Sequence, residues 1–234
     1  MPVQLSYKTI AGNYETVPIT QKLELSSIQC IRQRWATRQQ HHTPGFYAFS
    51  TLKKHVYYES YLESTVLLHL DYGGEVTYLV EQPFVIHDRK RQHIPDFVVQ
   101  YRDHHVELIN VKPAVFRHKP AFEQSLELVE EAAQARGWTS RVFTELGRQY
   151  VDNLEWLAGY RGLPYRLAEF SGRIVDTLQE PLTLRTLVAK IGEPFLLKPV
   201  VFHLIWHRRL CTNLDGRFSL DMPIWRSGEH DEPV

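Results

Sequence analysis

Cysteine is nearly missing from this chain of 234 residues: Cys30 and Cys211 are the two thiols, and no C-x-x-C occurs. That excludes a disulfide scaffold and argues against a zinc site built on cysteines. No apolar run approaches the ~18 residues that a membrane span needs. The start, MPVQLSYKTI, has no apolar stretch of the signal-peptide kind. The expectation is a cytoplasmic protein with no membrane partner. Net charge is also missing, with 27 Lys/Arg against 27 Asp/Glu. A neutral total argues against bulk electrostatic binding to nucleic acid. Internal repeats and low-complexity tracts are absent.

What is present is an ordinary globular composition, 43% hydrophobic and 12% aromatic. That excludes disorder as a description of the whole chain. The length suits one large domain or two small ones. The neutral total conceals a polarity. Residues 1–58 sum to +5, residues 59–181 to −6 and residues 182–234 to +1. The basic N-terminal arm offers Arg32, Arg34, Arg38, Lys53 and Lys54 as phosphate contacts, or simply as a solvated surface.

The first forty residues are weakly patterned, with a short helix expected over Leu23 to Trp35 and a turn-rich stretch at HHTPGFYAFS. From Tyr57 the pattern sharpens. Leu62, Val66, Leu67 and Leu70 share one helical face, and Gly73-Gly74 ends it. Short extended runs follow at Val76–Val80, Phe84–His87, Ile94–Tyr101 and Val106–Val111. Then come a long helix, PAFEQSLELVEEAAQARG, and a strand over Ser140–Thr144. This order predicts an α/β domain with a mixed sheet flanked by helices. After a connector near 165–180, LTLRTLVAKIG and KPVVFHLIWHRRL read as helices. LCTNLDGRFSLDMPIW reads as a hairpin tipped by Asp215-Gly216. Helix, helix, hairpin is the tail of a small winged-helix domain. Its second helix carries only His203, His207, Arg208 and Arg209 among apolar positions. Such a helix suits burial or a protein partner better than a DNA groove.

Four features in order carry candidate chemistry. Glu63 lies in Y-E-S-Y-L-E, Asp96 in H-I-P-D-F, and Asn110 and Lys112 in I-N-V-K-P. Phosphodiester hydrolysis needs up to ~23 kcal/mol removed from its barrier. A divalent ion supplies much of this by activating water and neutralising phosphate charge. Mg²⁺ takes oxygen ligands and keeps several waters. Asp96 at a strand start, an oxygen from Asn110 and the Val111 carbonyl can share one ion. Residues 110 and 112 leave the same face of their strand. Lys112 can then orient the attacking water or stabilise developing charge. Glu63 can add a carboxylate from the helix. Arg89, Lys90 and Arg91, in the tip between His87 and His93, are candidate DNA-backbone contacts.

The P-D-F … N-V-K pattern resembles the PD-(D/E)xK nuclease superfamily. Y-E-S-Y-L-E, E-Q-P-F, I-P-D-F-V-V and N-V-K-P-A, with L-I-W-H-R-R-L…L-D-G-R-F-S-L near the C-terminus, resemble more specifically the TnsA-type endonuclease subunits of heteromeric bacterial transposases. The resemblance covers roughly residues 45–225. It implies an endonuclease domain over 45–165 and a winged-helix-like domain over 166–225, while charge marks a basic region over 1–44 and an acidic tail over 226–234. It makes Glu63, Asp96 and Lys112 catalytic, with Glu63, Asp96, Asn110 and Val111 as ligands of one or two Mg²⁺, for which Mn²⁺ would substitute. Gln82 would brace the site, and Glu59, one helical turn before Glu63, is the fallback carboxylate. Asn110 departs from the pattern, where Glu or Gln is usual.

The resemblance further implies cleavage of the non-transferred strand at the 5′ ends of a mobile element. The partners would be double-stranded transposon ends, a DDE-type transposase and an AAA+ ATPase regulator docked on the C-terminal domain. In some elements a CRISPR effector selects the target. Two other readings stand beside this one. The first is a stand-alone restriction or repair nuclease. The second is a degenerate adaptor that binds DNA or protein without cutting.

Overall fold

The computed structural model describes residues 2–32, 44–162, 167 and 169–228. Arg34 and Arg38 lie outside them. The chain is mixed α/β and forms two compact units. The first contains the described residues up to Leu67 together with Glu75–Glu145. The second contains Leu68–Gly74 and the described residues from Leu146 onward.

The first unit opens with three strands, β1 (Gln4–Thr9), β2 (Tyr14–Pro18) and β3 (Ile28–Gln29). The hairpin β4 (Gly45–Phe49) and β5 (Lys54–Tyr58) follows, then helix α1 (Tyr61–Gly73), inside which the division between units falls. Next come β6 (Val76–Glu81), β7 (Phe84–His87), β8 (Gln92–His93), β9 (Phe97–Tyr101) and β10 (Val106–Val111). The short α2 (Ala114–Arg117), the long α3 (Pro120–Arg136) and β11 (Thr139–Phe143) complete it. One sheet runs β2-β1-β7-β8, with β3 also on β1. The other runs β11-β10-β9-β6, in which β10 and β11 are parallel and the remaining pairs antiparallel.

Burial explains these choices. Strands β9 and β10 are buried along almost their whole length, as expected of strands covered on both faces. Helix α3 buries Leu128, Val129, Ala132 and Ala133 in one cluster with Leu5, Ile86, Val98 and Leu108. It starts with Pro120 in its first turn and stops at Gly137, where φ is +68°. The Gly137 and Trp138 amides bond back to Gln134 and Ala133, a glycine-terminated helix end that satisfies the last carbonyls.

The N-terminal region is therefore no detached arm. Strand β1 sits inside its sheet, with Leu5 fully buried and Tyr7 nearly so. Of the helix expected over Leu23–Trp35, the described residues 23–32 form instead a single 3₁₀ turn, Leu25–Ser27, followed by β3. Ile28 pairs with Thr9, and that tertiary pairing overrides the local pattern. The turn-rich reading of HHTPGFYAFS also yields, because Gly45–Phe49 is a strand paired with β5.

The second unit contains α4 (Arg148–Ala158), α5 (Glu169–Thr177), β12 (Leu182–Thr183), α6 (Leu184–Ile191), α7 (Pro194–Trp206), β13 (Leu210–Cys211) and β14 (Pro223–Arg226). It begins near residue 146, earlier than the 165–180 connector suggested, because α4 buries Val151, Leu154 and Leu157 and packs on α7. The strands pair in the order β12-β14-β13. No tight turn joins β13 to β14. Residues 212–222 form a long loop, held by Asn153, which donates to the carbonyls of Leu214 and Gly216. Helix α7 is buried on most sides, and its polar residues serve the fold. His203 and His207 donate to the carbonyls of Tyr160 and Arg161, and Arg208 to that of Gly73. Among the described residues no helix is long and apolar enough to cross a membrane.

Leu5→Ala is expected to cost ~2–5 kcal/mol, the range for truncating a fully buried leucine. Urea unfolding measures it. A loss near zero would mean that residues 2–9 form a loose arm after all.

Candidate active-site cleft

The site forms where the ladder between β9 and β10 ends. Phe97 pairs with Ile109 as the last registered pair. Asp96, one residue earlier, replaces the missing ladder bond with its side chain. Its carboxylate accepts the Val111 N–H at 2.6 Å. Its own carbonyl accepts the Gln82 N–H at 2.8 Å. Gln82 is buried and left-handed, at φ +43°, in the turn between β6 and β7. That conformation is uncommon for a residue with a Cβ. Gln82 thus braces Asp96, through its backbone.

Glu63 stands in the first turn of α1, where the positive end of the helix favours a carboxylate. It also caps the helix. The Glu63 N–H donates to the Ser60 hydroxyl at 3.2 Å, and that hydroxyl donates to Glu63 Oε1 at 3.0 Å. The Glu59 N–H donates to Glu63 Oε2 at 2.8 Å. This is the S-x-x-E capping signature, legible in Ser60 to Glu63. Glu59 turns its own carboxylate to Arg32, at 3.1 Å.

The Glu63 charge reaches Asp96 and disfavours its ionisation. Burial, and after it the Glu63 charge, push Asp96 up to about 7, against the Val111 N–H and Arg32, which pull it down. Burial also raises Glu63, opposed by the Glu59 and Ser60 hydrogen bonds. Asp96 keeps some exposure as a residue, yet its carboxyl is crowded enough for burial to dominate.

A cleft of about 760 Å³ opens over Asp96. Lys112 lines it, with Nζ 5.2 Å from the centre of the Phe122 ring. Arg32, His93 and Lys119 contribute the other cationic or ionisable walls. Asn110 is buried beneath, and its Oδ1 accepts His93 Nε2–H at 2.6 Å. Its Nδ2 is buried with no hydrogen-bond partner. Burial holds the His93 imidazole below its usual pKa, and the Lys112 and Arg32 charges act in the same direction. The Asn110–His93 pair was not foreseen. The signal available was only that His93 lies three residues before Asp96.

The remaining candidates scatter. Lys53 is exposed in the turn between β4 and β5. Lys54 points inward, its ammonium donating to the Leu79 carbonyl, and lies 5.5 Å from the centre of the Tyr78 ring. Its assignment as a surface phosphate contact is therefore corrected: β5 turns it against β6. Arg89 and Lys90 are exposed on the turn between β7 and β8, whereas Arg91 pairs with Asp88 and Glu131.

Among the described residues no three His, Cys, Asp or Glu side chains converge as a ready metal cluster. The donors that do approach one another, Asp96 and Glu63, are hard oxygens of the kind Mg²⁺ or Mn²⁺ binds alongside water. The pressure that the Glu63 charge puts on Asp96 is what a divalent cation would relieve. Asn110 fits less well, since its oxygen is committed to His93. No family model matches the chain, and no curated protein matches it.

The pH dependence has a definite sign. Unfolded Asp96 titrates near 3.8 and folded Asp96 near 7. Between those values the folded state keeps a proton that the unfolded state has lost. Stability therefore falls as pH rises through that window and stays reduced above it. Asp96→Asn keeps an acceptor for Val111 and removes the charge. It is expected to raise the unfolding free energy at pH 8 by up to about 4 kcal/mol, with the gain fading toward pH 4. Chemical denaturation across pH checks this, and a pH-independent difference would contradict it.

Proposed function

We propose that this chain is a metal-dependent DNA endonuclease, the subunit of a cut-and-paste transposase that cleaves the non-transferred strand at the 5′ ends of the element. One observation carries the reading. Asp96 and Lys112, from the ends of adjacent strands, line the same cleft, and the Glu63 charge acts on Asp96. The restriction-endonuclease-like architecture belongs to this proposal. So does a winged-helix-like second unit, for which the order α5, β12, α6, α7, β13, β14 speaks. The transposon ends, the DDE-type transposase, the AAA+ ATPase regulator, the target selector and a bacterial cytoplasmic setting rest on the resemblance alone.

Each residue then has a task. A bound Mg²⁺ would activate water and neutralise phosphate charge, held by Asp96 and Glu63, with Val111 offering its carbonyl. Asp96 is fixed in direction by the Val111 N–H, so it does not have to reorganise when substrate arrives. Lys112 places a positive charge in the cleft, where it can orient the attacking water or stabilise the charge that develops on phosphate. Phe122 lies beneath that ammonium and limits where it can swing. Arg32 and Lys119 add charge that favours a phosphodiester over a neutral substrate.

The degenerate-adaptor reading has one observation in its favour, the commitment of the Asn110 oxygen to His93. Calorimetry with Mn²⁺ separates the two: the nuclease binds the ion and loses binding in Asp96→Ala, while the adaptor binds none.

Asp96→Ala and Lys112→Ala are each expected to lower 5′-strand cleavage at least 10³-fold with the circular dichroism spectrum unchanged. The assay is single-turnover cutting of end-containing DNA with the partner transposase present. Retained cleavage by Asp96→Ala would sink the assignment. Efficient cutting of plasmid DNA with Mg²⁺ and no partner would mark a stand-alone nuclease instead.

A further inference from the structure

Beside the cleft over Asp96 lies a second one, of about 420 Å³. Val85 and Gln92 line both. The two compartments are thus neighbours that share two lining residues. Ser6 and His87 contribute to the second compartment, and the turn Asp88–Arg91 forms its rim.

That rim is built in advance. Asp88 Oδ1 accepts the N–H groups of Lys90 at 2.7 Å and of Arg91 at 2.8 Å. The Asp88 N–H in turn donates to the Arg91 carbonyl. Arg91 answers the Asp88 carboxylate at 2.8 Å and reaches Glu131 of α3 at 3.1 Å. Asp88 and Arg91 therefore neutralise each other and hold the loop. Arg89 and Lys90 stay exposed on it, two positive charges that no acid within the turn offsets. The interior is polar. The Ser6 hydroxyl lies 2.9 Å from His87 Nε2 and 2.7 Å from the Thr16 hydroxyl. Among the described residues no Phe, Tyr or Trp lines this compartment, and the His87 ring is tied to Ser6. Positive charge on a hydrogen-bonded turn beside the Ser6 hydroxyl and the His87 imidazole suits the sugar-phosphate backbone of a strand.

We propose that the second compartment binds the phosphates that flank the scissile one, with Arg89 and Lys90 as the contacts. The strand being cut then runs from Lys112 past Gln92 to the β7–β8 turn. Arg91 is a positioning residue that holds the turn. The placement of the scissile phosphate rests on the nuclease reading; binding of nucleic acid along the second compartment is tested apart from it.

The test uses the full chain carrying Asp96→Asn, so that nothing is cut. Fluorescence anisotropy measures binding to a labelled 20-base-pair duplex and to its single strand over a range of salt. Arg89→Ala/Lys90→Ala is compared with Lys22→Ala/Arg217→Ala, which removes equal charge at two exposed sites outside both compartments. The first pair is expected to lower the slope of log K against log salt by about 2 and to weaken binding about tenfold or more at 0.1 M salt, the control pair to change neither. Equal slopes in the two double variants would overturn the proposal, as would a parent chain that binds neither DNA at low salt. Loss of binding to poly-glutamate in place of DNA would make the compartment a site for acidic peptide, and would also overturn it. With Asp96 restored, failure of the nuclease reading shows as no cleavage while the slope difference persists. Failure of the strand path shows as cleavage with no slope difference.

Discussion

The hydrogen bond from the Val111 N–H to the Asp96 carboxylate joins β9 and β10 where their ladder gives out. Much of the site depends on it. It holds an acid in a crowded place where burial alone would favour the neutral form. The same residue is gripped from the other side, because Gln82 donates its N–H to the Asp96 carbonyl. Gln82 can do so only from a left-handed turn, a conformation that costs of order 1–3 kcal/mol for a residue other than glycine. Three strands, β6, β9 and β10, thus end around one carboxyl group.

Charge then organises the surroundings. Asp96 brings acidity to the cleft, the Glu63 and Glu59 charges act on it, and Arg32 answers by pairing with Glu59. Lys112 stands in the same cleft, seated over Phe122. An acidic edge repels a phosphodiester unless a cation intervenes, and cationic walls alone would hold the phosphate without activating water. The two together make sense around a substrate that is anionic and an ion that is divalent. The His93–Asn110 bond has a different character. It satisfies the amide oxygen but leaves the amide nitrogen buried and unpaired, a cost usually tolerated only for a reason.

The elements that were legible share one property: their apolar runs are continuous and end at turn residues. The stretch F-V-V and the long α3 segment announce themselves that way, as does V-E-L-I-N-V apart from its two polar residues. The early strands were harder. In Q-L-S-Y-K-T only Leu5 and Tyr7 point inward, and a two-residue alternation is a faint signal. Lys54 shows what sequence could not reveal at all. Its ammonium is spent on the Leu79 carbonyl, 25 residues away along the chain. His93 is similar, because β8 is two residues long and its partner Asn110 comes from a strand 17 residues on. Glu63 was found for its charge, although its capping role was equally readable in Ser60-x-x-Glu63.

The neutral net charge takes on a sharper meaning once these pairings are known. Of the cations expected to meet phosphate, Lys54, Arg91 and Arg32 are already engaged within the protein, and Arg34 and Arg38 lie outside the described residues. Lys53, Arg89 and Lys90 are the exposed remainder. Each phosphate neutralised contributes a slope of about −0.9 to the salt dependence of duplex binding, so these three by themselves support only a shallow dependence, to which Arg32, Lys112 and Lys119 of the cleft add. The acidic edge of the cleft weakens it further until a cation binds. Under the nuclease reading, the exposed cations outside the cleft are too few to select the DNA by charge alone. Control over where it cuts then has to come from whatever holds the ends.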